Sequence, residues 1–111
     1  MGFHDARRRL LDCLKEGCIG HWPRKDAYRK NWLQTGRTTV EYVRELLIRC
    51  NGTQYRQSVH DFDAETSVHE FFPDHGATRW YVKVFFDDHL GVAMFMSVHP
   101  SGEGNEDLEG R

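Results

Sequence analysis

Thr78-Arg-Trp-Tyr-Val-Lys-Val-Phe-Phe-Asp87 alternates strictly: Trp80, Val82, Val84 and Phe86 fall on one side, Arg79, Tyr81, Lys83 and Phe85 on the other. A period of two over so many residues, rich in β-branched and aromatic types, predicts a β-strand with one buried face. Asp87-Asp88-His89 then reads as a short turn, and Gly91 to His99 as a partner strand, with Val92, Met94, Met96 and Val98 alternating against Ala93, Phe95, Ser97 and His99. So short a connection favours antiparallel pairing, because a parallel crossover needs a dozen or more residues.

Upstream, Thr66 to Phe72 gives a third strand, ended by Pro73 and the turn Pro73-Asp-His-Gly76. Thr53 to Val59 gives a more polar fourth. Before Asn51-Gly52 the period changes to 3.6. Val40, Val43, Leu46, Leu47 and Cys50 recur at helical spacing behind a capping-box pattern, Thr38-Thr-Val-Glu41. His4 to Glu16 reads as a helix stopped by Gly17, and Arg24 to about Leu33 as a second one. Helices first and strands afterwards predict an α+β domain, with N-terminal helices packed on one face of a C-terminal antiparallel sheet.

Size and composition agree. The chain has 111 residues, with 39% hydrophobic and 13% aromatic side chains, enough for one domain with its own core. The domain is expected to span residues 1–99. Residues 100–111 are polar, acidic and glycine-rich, and read as a disordered tail. The longest nearly apolar stretch, Gly91 to Val98, is far short of the ~20 residues that span a bilayer, and no signal-peptide pattern follows Arg7-Arg8-Arg9. A cytoplasmic protein without a membrane partner is expected. Cys13, Cys18 and Cys50 cannot all pair, and their spacing lacks a second Cys pair for zinc. They read as reduced thiols, and no metal or cofactor is expected.

The net charge of −2 hides an asymmetry. Residues 1–60 carry twelve Lys/Arg against six Asp/Glu, a surplus of +6; residues 61–111 carry three against eleven, a deficit of −8. A basic half is a reason to consider a polyanionic partner such as RNA.

Strand parity assigns faces. Trp80, Val82, Val84 and Phe86, with Val92, Met94, Met96 and Val98, should lie under the helices, together with Val68 and Phe72. The opposite face would then gather Tyr55 or Gln57, His69, Arg79, Tyr81, Lys83 and His99, unless a β-bulge reverses part of the pattern. Two histidines, a tyrosine and cations on one face suit metal-independent RNA cleavage. One imidazole takes the 2′-hydroxyl proton, another protonates the leaving oxygen, and cations offset charge on the phosphoryl oxygens.

Several stretches carry a resemblance: Arg9-Leu-Leu-Asp-Cys-Leu-Lys-Glu-Gly-Cys-Ile19, Tyr55-Arg-Gln-Ser58, Thr66-Ser-Val-His-Glu-Phe-Phe-Pro73, Trp80-Tyr-Val-Lys-Val84 and Phe95-Met-Ser-Val-His99. In their order and spacing the chain resembles the MqsR-type mRNA interferase toxins, relatives of the RelE-like ribonucleases. The resemblance implies a RelE-like fold, an mRNA-cleaving toxin and a cognate antitoxin protein. The family's lysine before a serine falls at Gln57, or one residue earlier at Arg56. Its second-strand glutamine falls at His69, its tyrosine matches Tyr81 followed by Lys83, and its last-strand lysine falls at His99. Only the tyrosine is retained. The expected site is therefore His69, Tyr81, His99 and Gln57 for chemistry, with Arg56, Arg79 and Lys83 holding phosphate. The alternative is a non-catalytic RNA- or protein-binding module on the same fold.

Overall fold

The computed structural model describes residues 1–102. Helix α1 (Phe3–Glu16) turns one face inward through Ala6, Leu10 and Leu14 and ends at Gly17, whose φ of 77° is the left-handed conformation glycine adopts without strain. Strand β1 (Ile19–His21) follows, then two short helices, α2 (Ala27–Lys30) and α3 (Trp32–Thr35), and a longer α4 (Val40–Arg49). Strands β2 (Tyr55–His60), β3 (Asp63–Phe71), β4 (Asp74–His75), β5 (Thr78–Asp87) and β6 (Val92–Pro100) complete the chain. The sheet order is β1-β6-β5-β3-β2, with β4 paired to β5 off that path. The architecture is α+β, as expected.

Three local expectations need correction. The sheet is mixed, because β1 runs parallel to β6 at its edge. Three residues containing Gly20 carry no readable period. Space beside the glycine is tight: a Cβ would sit 3.1 Å from Met94 Sδ. The stretch expected as one helix from Arg24 to Leu33 is broken at the fully buried Asn31. Its Oδ1 accepts from Gln34 N at 3.1 Å and its Nδ2 donates to His21 Nδ1 at 3.0 Å. Finally, Thr39 rather than Thr38 caps α4, accepting from Tyr42 N at 3.1 Å.

The main core lies between helices and sheet: Ala6, Leu10, Leu14, Val43, Leu46 and Leu47 pack on Phe71, Trp80, Val82, Val84, Ala93, Phe95 and Val98. On β5 the expected parity holds. On β6 it does not, because Lys83 pairs with Ser97 while Val84 pairs with Phe95, leaving Met96 as an extra residue. This bulge reverses the strand between its two ends. Ala93 and Phe95 face the helices, whereas Met94 and Met96 join Val68, Phe85 and Trp22 in a second cluster on the outer face. On β3 the expectation is inverted as well: Phe71 is core and Val68 belongs to the outer cluster. The fold also extends past residue 99, since Pro100 closes β6 and Ser101 N donates to Arg79 O at 2.7 Å. The rest of the expected tail, residues 103–111, lies outside the described residues.

Candidate active site

With Phe71 turned into the core, its neighbour Glu70 must face the other way. There it stands in a row that crosses four strands: Arg56 on β2 pairs with Glu70 on β3, Glu70 with Lys83 on β5, and Lys83 with Ser97 on β6. The adjacent row brings Tyr81 opposite His99. Adjacent strands lie about 4.8 Å apart, so these side chains share one patch of the outer face.

Glu70 is its centre. Only 3% of the residue is exposed, and an unpaired carboxylate there would cost several kcal/mol. Oε1 accepts from Arg56 Nε at 3.1 Å, Arg56 Nη2 at 2.9 Å and Tyr81 Oη at 2.9 Å; Oε2 accepts from Ser58 Oγ at 2.7 Å. Burial pulls its pKa upward, but the bonds from Ser58, Arg56 and Tyr81 outweigh it and hold the carboxyl below its ordinary value. The same carboxylate acts oppositely on Tyr81. Burial first, and then the negative charge beside it, push the phenol well above its ordinary value, so Tyr81 is a neutral hydroxyl that donates to Glu70.

The His99 ring lies 5.5 Å from the Tyr81 ring. Its Nδ1 sits 2.9 Å from the Pro100 carbonyl, which can only accept, so Nδ1 carries a hydrogen. Phe72 lies beside the patch, with its ring 5.4 Å from Tyr81 and the Arg56 guanidinium 5.3 Å from its centroid. From the segment after β1, Arg24 Nη1 donates to Met96 O at 2.9 Å and Ser97 Oγ at 3.1 Å, while its Nε pairs with Asp26 at 2.7 Å. The carbonyl of the bulged Met96 thus has an arginine as its partner.

Of the residues expected at the site, Arg56, Tyr81, Lys83 and His99 are brought together. His69 and Gln57 are not. They pair with each other across β2 and β3 on the helix side, where His69 packs beside Tyr55 and Phe86. Tyr55 Oη lies 2.6 Å from His69 Nδ1, and burial, with the N-terminal amine and Arg9 adding to it, lowers the imidazole pKa to about 4. His69, bonded to Tyr55 on the face away from His99, does not form the acid–base pair with His99 that the sequence led us to expect. Gln57 Nε2 donates to the Met1 carbonyl. Arg79 is tied at the sheet end by Asp74, through Nε at 2.8 Å and Nη2 at 2.9 Å.

Sequence reasoning missed Glu70, Ser58 and the place of Arg24. Glu70 was one position from detection. Both Phe71 and Phe72 can face a core, and choosing Phe71 puts Glu70 beside Tyr81.

Among the described residues no group of three or more His, Cys, Asp or Glu side chains is arranged to hold a metal ion. None of the described helices is long and apolar enough to cross a membrane. No family model, curated protein or solved structure matches the chain.

Proposed function

We propose that this chain is a metal-independent endoribonuclease of the mRNA-interferase type, the toxin of a toxin–antitoxin pair acting in the cytoplasm. The observation that carries the reading is the joining of Arg56, Glu70, Tyr81, Lys83 and His99 in one patch. Each part of a phosphodiester cleavage by the neighbouring 2′-hydroxyl has a group in that patch. Arg56 and Lys83 offset charge on the phosphoryl oxygens. Tyr81 meets the 2′-hydroxyl. His99 Nε2, when protonated, supplies the proton that the departing 5′-oxygen needs. The products are a 2′,3′-cyclic phosphate and a 5′-hydroxyl.

The resemblance to the MqsR-type toxins supports the same reading through Tyr81 and the order of elements, and it implies the antitoxin partner. The second reading is a binding module that holds RNA without cutting it. What favours it is that Arg56, the best phosphate ligand of the patch, already pairs with Glu70.

The test is incubation of a mixed-sequence RNA with the wild type in EDTA between pH 5 and 8, with the end groups of the fragments identified. Fragments ending in cyclic phosphate support the enzyme. RNA that is bound but stays intact throughout the range supports the module instead.

A further inference from the structure

The patch contains more than the expected residues, and its extra member is a carboxylate that accepts four hydrogen bonds. A carboxylate offers about four acceptor positions. Two bonds from Arg56 and one from Tyr81 converge on Oε1, and Oε2 takes one from Ser58. The four bonds differ in one respect. Ser58 and Tyr81 donate as neutral hydroxyls, but the guanidinium is a cation with an obvious competitor. It suits a phosphate as well as a carboxylate, in the same forked geometry. Its side chain is 66% exposed, against 4% for the Glu70 side chain it caps. Arg56 is the partner that an arriving phosphodiester can take away.

We infer that Glu70 is the proton acceptor of this site, working through the Tyr81 hydroxyl, and that Arg56 keeps it occupied until a substrate phosphate draws the guanidinium off. The inference rests on the endoribonuclease reading and adds to it the base and its trigger. Glu70 is a positioning residue in this scheme, because Tyr81 is the group that meets substrate.

The step balances. The 2′-hydroxyl passes its proton to Tyr81 Oη as Tyr81 passes its own to Glu70 Oε1. The 2′-oxygen pair forms the bond to phosphorus, the bond from phosphorus to the 5′-oxygen breaks, and that oxygen takes the proton of His99 Nε2. Tyr81 ends unchanged, Glu70 neutral and His99 neutral. The Tyr81 proton already points at Glu70, so the phenol oxygen has its own lone pairs for the incoming proton. The charged and titratable groups facing Glu70 are Arg56 from β2 and Tyr81 and Lys83 from β5; Arg24 acts on Tyr81 from the segment after β1. When Arg56 leaves, Lys83 is the cation that remains, and Glu70 gains basicity without losing its bond to Tyr81.

The test is a carboxyl-carbon NMR titration of Glu70 in the wild type, alone and with a 2′-O-methyl tetranucleotide that binds without reacting. The Glu70 midpoint should rise by about one pH unit or more with the tetranucleotide, and by a similar amount in Arg56→Ala without it. If both leave the midpoint unmoved, the inference is overturned, whether or not the protein cleaves RNA. Kinetics give the second arm. The acidic limb of kcat should lie above that of kcat/KM, since only the complex has released Arg56. Glu70→Gln should lower kcat about 100-fold or more with little change in KM, and ultraviolet titration of the folded variant should show Tyr81 ionising at lower pH. Coincident limbs, or a Glu70→Gln variant with wild-type kcat, overturn the assignment while leaving the endoribonuclease reading intact. A wild type that does not cleave removes that reading and leaves the titration result standing.

Discussion

His69 and His99 stand on opposite faces of one sheet. His99 lies beside Tyr81 on the outer face, while His69 bonds to Tyr55 against the helices. One imidazole therefore belongs to the polar patch and the other to the packing, and the two call for different experiments.

For His69 the consequence is stability. Its folded pKa, about 4, lies below the ordinary 6.5, so the unfolded chain binds the extra proton first. Stability is then full above the unfolded value and declines as pH falls through the window toward 4. Between pH 7 and 5 His69 should account for a loss of about 2 kcal/mol, and urea denaturation at both pH values should show the wild type losing about that much more than His69→Gln.

Glu70 has the same direction of pH dependence, but here it is the charged form that the fold favours. Its folded pKa lies below its ordinary value, so its ionised form adds stability above the unfolded pKa, and this is lost as pH falls through the folded one. Ser58→Ala removes one of the bonds holding it ionised. The variant should lose about 1 kcal/mol at pH 7 and show a Glu70 titration midpoint shifted upward, read by denaturation and carboxyl NMR.

Arg79 and Lys83 separate the two ends of β5. Arg79 is held by Asp74, whereas Lys83 stands in the row with Glu70 and Ser97. Lys83→Ala should weaken single-stranded RNA binding and lower the slope of log affinity against log salt by about 0.7. Arg79→Ala should leave both nearly unchanged.

Asn31 ties the segment carrying Arg24 to the sheet, with its side chain between His21 and Gln34 and its backbone bridged to Val98. Asn31→Ala should cost about 1 kcal/mol by removing its part-buried hydrogen bonds to His21 and Gln34. Limited proteolysis should then cut faster between Trp22 and Lys30.

Much of this was legible in the sequence. The alternation of Trp80, Val82 and Val84 placed Tyr81 and Lys83 on the outer face, and the 3.6 period of Val43, Leu46 and Leu47 placed α4 against the core. Two features escaped, each for a local reason. The Met96 bulge moves Phe95 to the helix side without altering composition, so parity read from Val98 backward fails within three residues. On β3, Phe71 and Phe72 offer equal apolar gain on either face, and only the packing of Phe71 against Phe3 and Tyr55 breaks the tie. That single-residue choice exchanged His69 for Glu70 at the site.

The most direct test of the outer-face site is the rate of RNA cleavage in EDTA by folded His99→Ala and His69→Gln beside the wild type. His99→Ala should be slower by about 100-fold or more, and His69→Gln should stay within about threefold of wild type. Wild-type cleavage by His99→Ala, or loss of cleavage in a folded His69→Gln, would contradict it.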